Sequence, residues 1–463
     1  MFFVDTLEIE GLGNRSYLAG GPGGAVAVDP PRDIDQVIAA AAGRGVRIAY
    51  VAETHVHNDY VTGGLELARL TGAHYLVPAG ADVSYRRVLV HDGDDFDVDP
   101  AAGLSLRAVA TPGHTPHHTA YVLSEQGCDV AAFTGGSLLI GTVGRPDLVE
   151  PRLTERLARA QHASVHRLAD QLADEVPVLP THGFGSFCSA GRADTDTTTV
   201  GEERLRNDAL VKDADTFVAD LLAGLDDIPA YYAHMGPVNS DGPAPVDLTP
   251  PSTADPAELA RRLAAGEWVV DLRARTAFAA GHLAGSFNFE GDGSLATHLA
   301  WLIPWGKPVT LLAESPEQLA AAQRELVRVG IDRPAAAATG DPAGWLLPGE
   351  QLRSFRRATF ADLAKALSED EPPLVLDVRR DVERTAARID GTLHIPLHQL
   401  HRRSAELPEG VLWVHCAGGM RAAIAASLLD AAGRQVVAVD DGFGAAAAAG
   451  LPISTGVEGA SGA

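Results

Sequence analysis

Cysteine is scarce: the 463-residue chain has three, Cys128, Cys188 and Cys416, far apart and odd in number. That excludes a disulfide framework and CxxC zinc spacing, suits a reducing compartment, and leaves a free functional thiol open. Positive charge is also short. Lys and Arg number 37 against 61 Asp and Glu, a net charge of −24, which argues against nucleic acid and anionic membranes as partners. Small anions stay open, because local fields attract them. No run approaches the roughly 18 apolar residues of a membrane span, and the alanines of 445–449 are too few and too weakly apolar. The opening MFFVDTLEIEGLG has neither a basic region nor a long apolar stretch and alternates like a strand, so a cytoplasmic location without membrane association is expected. What is present, 46% hydrophobic and 21% charged residues, is globular chain too long for one core. At roughly 150 residues per domain, about three domains are expected.

The first 235 residues alternate strand-like and helix-like stretches, and metal-ligand residue types recur at strand ends: after RIAYVAE (47–53), after 104–110 and after 177–180. Open α/β layers build sites in this way. The segment 235–256 holds six prolines and little apolar periodicity, and reads as a linker. A second boundary falls near 348–357. The remainder is a duplication. WVVDLR (268–273) matches LVLDVR (374–379), and GHLAGSFNF (281–289) matches ARIDGTLHI (387–395). Asp271 to Asp377 and Gly285 to Gly391 are both offset by 377 − 271 = 391 − 285 = 106. Each copy reaches a further apolar strand, VTLLA (309–313) or VLWVH (411–415), and then a helix-like run. This βα alternation predicts two small parallel sheets covered by helices.

Behind VLWVH comes Cys416-Ala-Gly-Gly-Met-Arg421 and then a long helical run. A thiol between a strand end and a helix start meets backbone N–H groups and the helix dipole, which favour thiolate. Gly418 and Gly419 let the loop curl into an anion-binding nest, and Arg421 adds a cation at its far edge. A buried structural cysteine is the alternative. The stretch resembles the active-site loop of rhodanese sulfurtransferases, as do LVLDVR, GTLHIP, Asp440-Asp-Gly-Phe443 and Gly450-Leu-Pro452 around it. The resemblance covers about 355–458 and implies that Cys416 accepts a sulfane sulfur and passes it to a thiol. Aligning VTLLA with VLWVH sets Glu314 opposite Cys416 and Leu319 opposite Arg421, so 252–347 is expected to be a rhodanese-like domain without the nucleophile.

The N-terminal region has a histidine constellation. His55, His57 and Asp59 follow a buried strand in THVHNDY, His114 follows a tight turn in TPGHT, and His182 follows a short strand in THG. Imidazoles and carboxylates so placed suit Zn, Fe or Mn. His117 and His118 lack such a setting and are expected to lie behind the site or on the surface. The stretches 54–64, 111–115, 133–148 and 181–189 resemble the metallo-β-lactamase superfamily, and within it the persulfide dioxygenases fused to rhodanese domains. Coverage is about 1–235. That family oxidises a low-molecular-weight thiol persulfide with O2 to sulfite and free thiol, on an iron held by two histidines and a carboxylate. Two positions depart from it. Tyr60 stands where the superfamily has a last signature His, and Gly136, in FTGGS, where the family has its Asp ligand. His55, His57 and His114 are the expected ligands to one Fe(II) or Zn(II), with Asp59 and His182 in reserve. Arg145 and Asp147 are expected to support the site, and Cys188 to serve as a buried hydrophobe or a sulfur relay.

The implied fold is α/β: an αββα metallo-β-lactamase sandwich (1–235) followed by two small parallel-sheet rhodanese-like domains (252–347 and 355–458). The implied function is a sulfur-metabolism enzyme acting on a small thiol persulfide or thiosulfate and a low-molecular-weight thiol, with Cys416, Arg421, Gly418 and Gly419 as the sulfurtransferase site. Three alternatives remain open: a sulfurtransferase whose metal domain is degenerate, a sulfur carrier, and a thioester hydrolase of the glyoxalase II type. Self-association is common among such relatives, so a homo-oligomer is open too.

Overall fold

The structure, a computed structural model, describes residues 1–9, 11–191, 195–291 and 293–456; the last two residues of the expected 355–458 domain lie outside these. The chain divides into two compact units, Met1–Asp247 with Arg324–Asp332, and Leu248–Gln323 with Arg333–Ala463. Both repeats fall mostly within the second.

The first unit is an αββα sandwich. One sheet carries six strands in chain order: Phe3–Ile9, Asn14–Gly20, Ala25–Val28, Ile48–Ala52, His74–Pro78 and Val88–Val90. The other carries five, in the order Val178–Pro180, Cys128–Gly135, Thr119–Glu125, Leu104–Ala110, Asp95–Asp99. Side-chain alternation along the strands builds the layers. Leu104, Leu106, Ala108, Tyr121, Leu123, Ala131 and Phe133 face the first sheet and pack on its Tyr17, Val26, Val28 and Leu76. Their neighbours Val109, Ala120, Val122 and Ala132 point outward against the helices Thr154–Gln171 and Ala214–Ala223. The outer face of the first sheet is covered by the helices Asp35–Arg44 and Gly64–Thr71.

The stretch read as linker from 235 onward is in part a helix, Tyr232–Asp241, with Pro237 inside it. Buried Tyr232, Met235 and Asn239, at helical spacing, hold it in place. The Asn239 amide donates to the carbonyls of His57 and Tyr60 at 2.9 and 2.8 Å, so this helix fixes the histidine loop.

In the second unit each repeat forms a parallel sheet. The first has the order Phe287–Asn288, Trp268–Asp271, Val309–Ala313, Ala336–Thr339. The second has the order Arg356–Ala358, Val436–Val439, Leu412–His415, Leu374–Asp377, Leu393–His394. The duplication extends to single hydrogen bonds. Arg273 pairs with Asp271 and donates to the Gly281 carbonyl at 2.8 Å; Arg379 pairs with Asp377 and donates to the Ala387 carbonyl at 2.8 Å. Strand register corrects one detail of the sequence alignment. Asp271 pairs with Leu312 and Asp377 with His415, so Ala313, not Glu314, stands at the place of Cys416. Among the described residues, no helix is long and apolar enough to cross a membrane.

Candidate functional site

In the first unit, strand ends deliver polar residues to one place. Asp29 follows Ala25–Val28, Glu53 to His57 follow Ile48–Ala52, and His114 follows Leu104–Ala110. Gly136 follows Cys128–Gly135, and His182 follows Val178–Pro180. His55, His57, His114, His118 and His182 are all buried.

Hydrogen bonds behind the rings fix which nitrogen of each is bare. Thr54 gives its hydroxyl proton to Asp29 at 2.7 Å, so toward His55 it can only accept, at 2.9 Å from Nδ1–H. The Arg145 carbonyl accepts from His114 Nδ1–H at 2.8 Å. The Asn14 amide NH2 donates to Asp59 at 2.7 Å, which turns its oxygen to accept from His182 Nδ1–H at 3.1 Å. The Nε2 atoms of His55, His114 and His182 are therefore left with lone pairs. His57 is reversed: its Nε2 lies 3.1 Å from Glu53 and 3.2 Å from Asp29, and its Nδ1 has no partner. Burial lowers the pKa of His57, but those two carboxylates outweigh it and raise the group to about 10.

The arrangement fits a metal ion. His55 Nε2 and His182 Nε2 face each other at 3.3 Å, a repulsive contact between lone pairs. It is also close to the ~3.3 Å expected between two ligands of one tetrahedral ion bound at ~2.0–2.1 Å. His114 Nε2 and Asp59 Oδ1 are buried without a hydrogen-bond partner, a costly condition unless something else occupies them. Ring nitrogens of His55, His57 and His182 lie within 4.8 Å of one another, as do donor atoms of His114, His182 and Cys188.

His182, held in reserve by the sequence reading, thus belongs to both groupings. His57 belongs to the first of them, with Nε2 engaged by the carboxylates and Nδ1 unpartnered. Asp59 reaches His182 from behind, at 3.3 Å. His118 is buried and fully engaged: Nε2 accepts from the Gly136 N–H at 2.9 Å and Nδ1 bonds Thr111 at 2.8 Å. At Gly136 a Cβ would overlap the His114 imidazole. The ring fills the space a larger residue would need. Asp29, Glu53, Thr54 and Asn14 were missed in the sequence. The available signal was position, since Asp29 and Glu53 each directly follow an apolar strand. Asp29 also has φ +48, a strained backbone of the kind found at functional sites.

In the second unit, the Leu412–His415 strand ends at Cys416 and the helix Met420–Ala431 begins four residues on. Cys416 is buried, and the Gly419 N–H donates to its Sγ at 3.1 Å. Gly419 has φ +90, and a Cβ there would overlap the Asp440 carboxylate, so the curl depends on glycine. Ala417 and Gly418, beside the thiol, are exposed. The Arg421 guanidinium is paired with Glu383 at 2.6 and 2.7 Å. Burial raises Glu383, yet Arg421 outweighs it and holds the carboxyl at about 2. His415 lies beneath the loop between Phe360 and Phe443, and burial pushes it down to about 4 despite Asp377.

The family profile described as the Metallo-beta-lactamase superfamily matches residues 10–182, and that described as the Rhodanese-like domain matches 255–346 and 360–449. The chain is 32% identical over 202 residues to the human protein named persulfide dioxygenase ETHE1, mitochondrial, covering 42% of this chain and 69% of that protein. It is 36% identical over 174 residues to a hydroxyacylglutathione hydrolase of Methylococcus capsulatus, covering 37% of this chain and 62% of the relative. Among solved structures, a metallo-beta-lactamase from Staphylococcus aureus subsp. aureus COL superposes with a TM-score of 0.65 at 25% identity. That match covers 73% of this chain and 99% of that one.

Proposed function

We propose, from the premise that this chain belongs to the ETHE1 persulfide dioxygenase family of the metallo-β-lactamase superfamily and carries two rhodanese-like domains in fusion, that Cys416 shuttles sulfane sulfur to or from the small thiol whose persulfide the N-terminal site receives. The Cys416 thiolate attacks the outer sulfur of a thiol persulfide or of thiosulfate. A new S–S bond forms at Cys416 while the donor's S–S bond breaks, and the donor thiolate or sulfite leaves with the electron pair. An acceptor thiolate then attacks the outer sulfur, takes it as its own persulfide and returns Cys416 as thiolate. The observation carrying this reading is the Gly419 N–H directed at Sγ, at a helix N-terminus that favours negative sulfur. Covalent linkage of the two activities keeps their shared intermediate at high effective concentration. Cys416→Ser should reduce transfer from thiosulfate or a persulfide to a thiol acceptor to background; unchanged transfer overturns the reading.

In the N-terminal site His55, His114 and His182, with His57 beside them, would hold one Fe(II) or Zn(II). Such an ion supplies Lewis-acid or redox chemistry toward a bound sulfur anion. The protein's share is to fix the ring tautomers through Thr54, the Arg145 carbonyl and Asn14, and to keep the rings dry. One observation favours a second reading, a sulfurtransferase with a metal domain inactive in oxidation: Gly136 supplies no carboxylate. Oxygen uptake with a thiol persulfide, alongside metal analysis of the purified chain, separates the two. Persulfide-dependent uptake supports the first. Its absence from metal-loaded protein supports the second, and thioester hydrolysis by that protein would instead align it with its hydrolase relatives.

A further inference from the structure

We infer that Cys188 is an anionic ligand of the N-terminal metal site, taking the place of the carboxylate that Gly136 cannot provide. The inference rests on the metal-binding reading above and deepens it.

Three histidines bring no charge, and the buried Asp59 carboxylate reaches His182 only from behind, at 3.3 Å, so a directly bound anion is favoured for an ion held there. Position 136 offers none, and its side-chain space is taken by His114. Cys188 is fully buried six residues beyond His182, and its sulfur lies within 4.8 Å of donor nitrogens of both His114 and His182. His114 Nε2, likewise buried, has no hydrogen-bond partner. The cysteine is also fixed in place: its N–H donates to Ser186 at 3.2 Å, and its carbonyl accepts from the Arg145 N–H at 2.9 Å. Because Arg145 is the residue whose carbonyl orients His114, one short segment sets both the imidazole and the thiol. As a thiolate, the sulfur suits zinc or iron as a soft anionic donor. The alternative is a thiol that hydrogen-bonds with Tyr232 and Asp59 and binds no metal.

The test uses the full chain carrying Cys128→Ser and Cys416→Ser, which leaves Cys188 as its single thiol, loaded with Zn(II) or Co(II) alone. X-ray absorption should show one sulfur at about 2.3 Å from zinc, and the cobalt form a thiolate-to-metal charge-transfer band. Cys188→Ala in that background should lose both signals and bind metal at least about tenfold more weakly. If that variant does not fold, the sulfur distance in the parent still decides. Metal held by nitrogen and oxygen alone overturns the inference and leaves the histidine site standing. No metal uptake at all overturns both.

Discussion

At Gly136 the question is whether a missing ligand can simply be restored. A Cβ at this position runs into the His114 ring, which is itself tied to the Arg145 carbonyl. Gly136→Asp should therefore act as an overpacking substitution, costing about 1–3 kcal/mol, with no gain in bound metal. Thermal melting and metal analysis check this. A stable variant that gains iron would show that His114 yields and that the glycine is a plain vacancy. The histidines were legible in the sequence because each sits just past an apolar strand. Which nitrogen each one presents was not. What commits His57 Nε2 is a pair of carboxylates, Asp29 from a different strand end and Glu53 from its own. What brings His182 against His55 is the meeting of two sheets, which spacing along the chain does not encode.

Among the elements, the helix Met420–Ala431 behind Cys416 is held by the repeat that lacks the nucleophile. Ser427 on this helix accepts the buried backbone N–H of Asn288 at 3.0 Å, Asp430 meets His282 at 3.1 Å, and Asp440 beside the thiol loop receives Arg275 at 2.8 Å. The first repeat thus braces the element whose N-terminus carries the thiol loop. Ser427→Ala strands the Asn288 N–H and should cost about 1–3 kcal/mol, seen as a lower urea midpoint at unchanged slope. An unchanged midpoint would mean that the brace is dispensable. The duplication itself was plain from the constant offset of 106, which survives as matched Arg–Asp pairs. The single-residue slip that put Glu314 rather than Ala313 opposite Cys416 arose because apolar runs of equal length align equally well in either register, and only strand pairing distinguishes them. Either residue leaves that repeat without a sulfur nucleophile.

On the scale of the whole chain, buried titratable groups set the response to acid. Burial, the largest influence, takes His415 down to about 4. It is neutral in the fold and gains a proton on unfolding below about pH 6.5. Its contribution is therefore complete above that pH and is lost progressively as the pH falls from there to the folded value. Glu383, held at about 2 by Arg421 against its burial, adds a loss that begins below about pH 4.3. Melting temperature should fall progressively from about pH 6.5 downward; a flat profile to about pH 4 would contradict this. The duplicated parallel sheets were readable because recurrent motifs are local signals, and the αββα layering followed from the resemblance of the histidine motifs to the metallo-β-lactamase superfamily. The partition into two compact units, with both repeats mostly in the second, was not, because contacts such as Ser427 with Asn288 and Asp440 with Arg275 join residues far apart in sequence. The most direct test of the chemistry is mass spectrometry of the intact chain after brief exposure to thiosulfate or a thiol persulfide. One added sulfur atom is expected on the peptide containing Cys416, removable by an acceptor thiol. A Cys416 peptide of unchanged mass, in protein that still transfers sulfur, would contradict it.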